Sequence, residues 1–159
     1  MYQASHNPHY QNIIYNTTLK ALEAHPRTIV IRCDLRFSYQ IDCLSEHDPS
    51  VITKFIASLK AKINADLRRR NKAWGRNHSC KLNYVWVREY GDQNGRKHYH
   101  VLLYLNNDVY QALGNYEAIS GCLAAMIKQA WCSATGLTHE DFNNLVHFGK
   151  TFYINKNNP

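Results

Sequence analysis

Long apolar runs are missing from this 159-residue chain, and so are paired cysteines, glycine-rich tracts and an acidic balance. Each absence excludes something. The apolar stretches fall far short of the ~20 residues that span a bilayer, so no membrane helix is expected. Met1-Tyr2-Gln3-Ala4-Ser5-His6 lacks the charged and apolar regions of a signal peptide, which makes a cytoplasmic protein the expectation. Five cysteines (Cys33, Cys43, Cys80, Cys122, Cys132) are odd in number and not closely spaced, so they predict reduced thiols, not a disulfide frame or a zinc ribbon. No repeat or low-complexity tract divides the chain, and its length suits one domain over residues 1–159 with an ordinary core. Acidic residues number 12 against 19 Lys and Arg, for a net charge of +7. That balance favours a polyanionic partner, of which nucleic acid is the commonest.

The stretch that organises the rest is Lys97-His98-Tyr99-His100-Val101-Leu102-Leu103-Tyr104-Leu105, a run of β-formers. Successive side chains of a strand point to opposite faces, so His98 and His100 share one face and Tyr99 takes the other. Leu82 to Glu89 reads as a partner strand, and the Asn94-Gly95 pair between them is a strong hairpin signal. A two-residue turn at Asn94-Gly95 puts Glu89 opposite His100; a loop from Asp92 to Gly95 puts it opposite His98. Both registers keep the carboxylate on the face of the two imidazoles, whereas a one-residue slip would move it to the far side. Glu89, His98 and His100 are therefore a predicted divalent-metal ligand set. A structural zinc site fits less well, because the set contains no cysteine.

Around this hairpin the chain alternates strands and helices. Ile13, Ile14, Leu19 and Leu22 give an amphipathic helix from Pro8 to His25. Thr28 to Phe37 alternates as a strand, with Arg32, Asp34 and Arg36 together on one face, either as a solvated row or as a phosphate-facing one that offers Asp34 as an extra candidate ligand. A polar loop over 38–48 leads to Asp48 as cap and Pro49 as first residue of a helix. Ile52, Phe55, Ile56, Leu59, Ile63 and Leu67 form its buried stripe. It ends on Arg68-Arg69-Arg70-Asn71-Lys72, the densest basic cluster, which reads either as a complement to the helix dipole or as a non-specific phosphate contact, followed by a loop over 73–81. After a turn at Asn106–Asp108, Val109–Leu113 suggests a short helix. A longer one is predicted from Glu117 to about Ser133, with Ile119, Leu123, Met126, Ile127, Ala130 and Trp131 on its core face and Gly136 as its stop. Residues 145–148 and 151–154 read as a closing strand or hairpin. The order β-α-β-β-α-β after the first helix predicts an α+β, ferredoxin-like antiparallel sheet. Its helices would cover one face and leave the other free for ligands.

His98-Tyr99-His100 followed by Val101-Leu102-Leu103 resembles the histidine–hydrophobic–histidine motif of HUH endonucleases, the rolling-circle replication initiators and relaxases. Arg88-Glu89 and the hairpin resemble the metal-site segment of the replication proteins of circular single-stranded DNA viruses. Ile31-Arg32-Cys33-Asp34-Leu35, Trp86-Val87-Arg88-Glu89, His98-Tyr99-His100-Val101 and Gln129-Ala130-Trp131-Cys132 also resemble the inovirus replication-protein-like family of bacterial prophages. The resemblance implies metal-dependent nicking and joining of single-stranded DNA through a 5′-phosphotyrosine link, in rolling-circle replication of a phage or mobile element. It implies Mn²⁺ or Mg²⁺ as cofactor, and single-stranded DNA and replication or mobile-element proteins as partners. DNA contacts would come from Arg32, Arg36, Arg68, Arg69, Arg70 and Lys72. Tyr153-Ile154-Asn155-Lys156 is similar to the Tyr-x-x-Lys motif of such proteins, which makes Tyr153 the expected nucleophile and Lys156 its helper. That role requires residues 151–157 to be helical or sharply turned, or to become so with DNA, because a strand points the two side chains apart. The competing class is a non-catalytic module of the same fold that binds single-stranded nucleic acid and lacks the nucleophile.

Overall fold

The computed structural model describes residues 7–38, 44–137 and 144–158. The expectations for residues 1–6, for the loop over 39–43 with Cys43, and for residue 159 lie outside them. The elements are α1 (Pro8–Ala24), β1 (Arg27–Leu35), a 3-10 turn (Leu44–His47), α2 (Val51–Trp74), β2 (Asn83–Tyr90), β3 (Lys97–Asn106), α3 (Leu123–Thr135) and β4 (Val146–Asn155). The four strands form one antiparallel sheet in the order β2-β3-β1-β4. This is the predicted α+β, ferredoxin-like arrangement with an added N-terminal helix. Among the described residues no helix is long and apolar enough to cross a membrane.

Strand alternation decides where the core sits. Ile29, Ile31, Cys33 and Leu35 of β1 and Tyr99, Val101, Leu103 and Leu105 of β3 point to one face and are fully buried. Phe55, Leu59 and Ile63 of α2 and Leu123, Ile127 and Trp131 of α3 meet them there. Each large apolar side chain so buried stabilises the fold by about 1.5–3 kcal/mol. Burial also pushes the Cys33 thiol up, and the nearby Asp34 charge adds to the shift.

The opposite face is not wholly free. α1 lies across its end near Val30 and Tyr104, where Ala21 packs against both and Val85, Leu102 and Ile154 flank them. Thr18 Oγ1 meets the Tyr104 hydroxyl at 3.2 Å. The reason is hydrophobic: β1 and β3 carry apolar residues at that end of the face and bury Ala21 of α1, whereas Ile13, Ile14 and Leu19 of the predicted stripe stay exposed. The polar end of the same face, with Arg32, Asp34, His98 and His100, stays open.

Several boundaries differ from expectation for local reasons. α2 begins at Val51 with Ser50 as N-cap, because Asp48 Oδ1 accepts the Ser50 N–H (2.8 Å) and Oγ–H (2.7 Å) and holds a turn before the helix. Hydrogen bonds from Lys54 and Ser50 hold the Asp48 carboxyl far below its usual range. The helix also runs past Lys72 to Trp74 and stops at Gly75, whose φ of 62° is left-handed. Val109–Leu113 is not helical. Asn106 Oδ1 accepts the Asp108 N–H (2.9 Å) and ties the chain into a turn, although Val109, Tyr110 and Leu113 are still buried. α3 starts at Leu123 instead of Glu117. The Asn115 side chain captures the Glu117 N–H (2.9 Å), and Gly121 adopts φ 82°, so the first predicted turns are a loop and Ile119 is exposed. Residues 146–155 form one strand, with a bulge where Arg32 alone faces Gly149 and Lys150.

Candidate metal centre

The hairpin takes the longer of the two loops. Glu89 pairs with His98 and Tyr90 with Lys97, while the Gly91 N–H donates to Arg96 O (2.9 Å) and the Gly95 N–H to Gly91 O (2.8 Å). Gly95 has φ 64°, so a residue without Cβ suits the end of the loop. Arg96 pins the base of the hairpin by donating to the Glu46 carboxylate (2.7 Å) and the Ser38 carbonyl (2.8 Å). The Arg96 hydrogen bond holds the Glu46 carboxyl below its ordinary range.

This register brings the three predicted ligands together. His100 Nε2 lies 2.9 Å and His98 Nε2 3.6 Å from Glu89 Oε2. One ligand atom from each of Glu89, His98 and His100 lies within 4.8 Å of the others, and this is the one such group among the described residues. The two imidazoles stand perpendicular, with ring centroids 4.9 Å apart. An ion bound ~2.0–2.2 Å from each donor needs donor atoms about 3–4 Å apart, so the set fits a divalent cation with small adjustments. Carboxylate favours Mn²⁺ or Mg²⁺ and imidazole favours Zn²⁺ or Ni²⁺, so this mixed donor set without a thiolate admits either kind of divalent ion.

Asp34, an extra ligand candidate from sequence, takes a different place. It pairs with His100 across β1 and β3, and its Oδ1 lies 2.5 Å from His100 Nδ1. The Asp34 carboxylate accepts the hydrogen bond from His100 Nδ1–H, which fixes the ring and aims Nε2 at the side of Glu89. Asp34 therefore bonds the His100 ring and is not one of the three clustered donors. Asp34→Asn is expected to weaken Mn²⁺ binding by about 10–100-fold, as read by calorimetric titration, with the fold intact. Unchanged affinity would mean that Asp34 does not orient the ligand.

The cluster lies between two depressions. One, of about 400 Å³, is lined by Arg36, Lys97, His98 and the hairpin loop. The other, of about 580 Å³, runs under the start of α1 and is lined by Tyr10, Ile14, Arg32, Val85, Glu89 and His100 among others. Arg32 and Arg36 are exposed: Arg32 lines the depression that holds Glu89 and His100, and Arg36, just past the end of β1, lines the one that holds His98.

The other predicted contacts are not gathered here. α2 packs on the opposite face of the sheet, and its last turns reach the far end of β3, where Tyr110 donates to Asp66 (2.8 Å). Arg69 and Arg70 bind the same Asp66 carboxylate at 2.6 and 2.7 Å, and Arg70 lies over the Trp74 and Tyr110 rings. Arg68 and Lys72 are exposed at that remote end. Tyr153 pairs with Ile29 and shares its face, opposite the histidines, and its hydroxyl donates to Gln111 O (2.9 Å). Ile29 is five positions along β1 from Asp34, about 17 Å at strand spacing. Residues 151–155 are extended, and Lys156 follows the strand with its N–H on Pro26 O (2.8 Å). The conformation needed for a Tyr153–Lys156 pair at the cluster is thus not the one present. What sequence reasoning missed is the seat of α1 beside the cluster. Its only signal was the Tyr10, Ile14, Thr18 spacing of four along one helix face.

Two comparisons with known proteins place the chain among relatives. It is 35% identical over 156 residues to YagK of Escherichia coli K12, covering 92% of this chain and 74% of that protein. It is 31% identical over 152 residues to YfjJ of the same organism, covering 91% of this chain and 73% of that protein. Both relatives are described as uncharacterized proteins. No solved structure matches. The family model of the YagK/YfjJ C-terminal domain matches residues 2–158, and the chain belongs to that family.

Proposed function

We propose that this domain nicks and rejoins single-stranded DNA in the manner of HUH endonucleases, in the cytoplasm, during rolling-circle replication of a phage or mobile element. The observation that carries the proposal is the convergence of Glu89, His98 and His100 at the open end of a sheet face, between Arg32 and Arg36. A Mn²⁺ or Mg²⁺ ion held by those three residues would supply a Lewis acid for a phosphodiester oxygen. The chain's own groups do the rest. Asp34 fixes the His100 ring, and Arg32 and Arg36 hold the phosphates on either side of the scissile one. The extended shape of the open end suits a single strand running from one depression to the other, with replication proteins of the element as further partners.

Two measurements test this. A labelled single-stranded oligonucleotide incubated with the protein and Mn²⁺ is expected to give discrete cleavage products, lost with a chelator. Binding should also weaken with salt, log K falling by about 0.7 per phosphate contact for each unit of log[salt]. Neutralising Arg32 and Arg36 together should reduce that slope by roughly 1.4. An unchanged slope would move the DNA elsewhere on the surface. A second reading, a binding module without chemistry, is favoured by the position of Tyr153 on the far face. Tight binding with no cleavage under any metal would support it.

A further inference from the structure

With Tyr153 turned away, the cluster needs another attacking group, and α1 presents one. We infer that Tyr10, in the first turn of α1, is the nucleophile of this site; the inference rests on the strand-nicking function proposed above. α1 is anchored on the sheet by Thr18, whose hydroxyl meets Tyr104, and by buried Ala21. Tyr10, Ile14 and Thr18 follow one another at intervals of four and so share the helix face turned to the sheet. From Thr18 back to Tyr10 is eight residues, about 12 Å of helix. From Tyr104 back to His100 is four residues, about 13 Å of strand. Tyr10 therefore stands above the end of β3 that holds His100, and it lines the groove shared with Glu89, His100 and Arg32.

The groove has the chemistry for the nucleotide next to the cut. Ile14, Val85 and Leu102 give it an apolar floor for a base, Arg32 a cation for a phosphate, and Tyr10 a ring half open to solvent at 50% exposure. The alternatives among the described exposed tyrosines point elsewhere. Tyr90 lies one position from Glu89 on β2 and so on the opposite face, and Arg88 lies over its ring. Tyr116 is stacked on Phe148. Tyr153 is bonded to Gln111 O on the far face. Tyr15 lies outside the groove lining.

In the step, the Tyr10 phenolic oxygen forms a bond to phosphorus and the bond from phosphorus to the 3′ oxygen breaks. The phenol proton ends on that 3′ oxygen, leaving a 5′-phosphotyrosine and a free 3′-hydroxyl. Rejoining is the reverse, so the exchange balances without an oxidant or an added nucleotide.

The test uses the full chain with Mn²⁺ and a single-stranded oligonucleotide labelled at its 3′ end, resolved on a denaturing gel. Wild type and Tyr153→Phe should both carry the label covalently, and Tyr10→Phe should lose at least about a hundred-fold of it. Tyr10→Phe should keep wild-type Mn²⁺ and DNA binding, which separates loss of the nucleophile from misfolding. Peptide mapping of the wild-type adduct should place the nucleotide remnant on the peptide bearing Tyr10. Full labelling of Tyr10→Phe, or a remnant on another residue, would overturn the assignment and leave strand nicking standing. No adduct from metal-loaded wild type would remove both together.

Discussion

Changing His98 and His100 together to alanine is expected to abolish the heat of Mn²⁺ binding and leave the fold in place. The two rings supply two of the three donor atoms, and Glu89 alone is a surface carboxylate with no special affinity for a cation. Of the single variants, His100→Ala should do more harm than His98→Ala. It removes the ring that joins Glu89 to Asp34 and strips Asp34 of its close partner, leaving Arg32 at 3.9 Å. Neither histidine lies in the apolar core, so the metal-free stability should change by no more than the hydrogen bonds lost, about 1 kcal/mol each. The wild type should also gain about 2.7 kcal/mol of stability at a metal concentration one hundred times its Kd, a gain absent from the double variant. Equal binding heats in the two proteins would place the metal elsewhere.

Trp131→Ala should bring the largest loss of stability. Trp131 is fully buried and meets Phe37, Phe55 and Tyr99 edge to face, with centroids 5.2, 5.8 and 6.2 Å away. Its indole N–H donates to the Arg36 carbonyl at 2.7 Å. Truncation leaves a cavity worth about 3–5 kcal/mol, and the orphaned carbonyl adds about 1–3 kcal/mol. Set against a total of about 5–15 kcal/mol for a domain, that sum leaves the protein marginal or unfolded at room temperature. Trp131→Phe keeps a ring in the site but drops the hydrogen bond. It should cost less and act on the site through Arg36, seen as weaker DNA binding with Mn²⁺ affinity kept. Urea unfolding of both variants checks this, and a cost below about 1 kcal/mol for alanine would contradict the packing described.

How far the sequence disclosed this protein depends on the range of the forces involved. The cluster was legible because it rests on a period of two and a turn, both local: either hairpin length put Glu89 beside the histidines, and only the choice of length needed the structure. The sheet and its two covering helices were legible from alternation on β1 and β3 and from the stripes of α2 and α3. The start of α3 was not, since side-chain capture by Asn115 and a left-handed Gly121 outweighed an apolar periodicity that included Ile119. The basic run at 68–72 looked like one patch, but its helix crosses the far face and Asp66 ties two of its arginines. Tyr153 and Tyr10 show the same limit. Which tyrosine approaches the histidines depends on strand parity at one end of the chain and on the docking of α1 at the other, and no local pattern encodes either.

The central claim is that His98 and His100 both ligate one divalent ion. Pulsed electron paramagnetic resonance of the Mn²⁺-loaded protein counts nitrogen ligands directly. Two imidazole nitrogen couplings are expected from the wild type and one from His98→Ala. Bound Mn²⁺ coupled only to water protons, with no imidazole nitrogen, would contradict it.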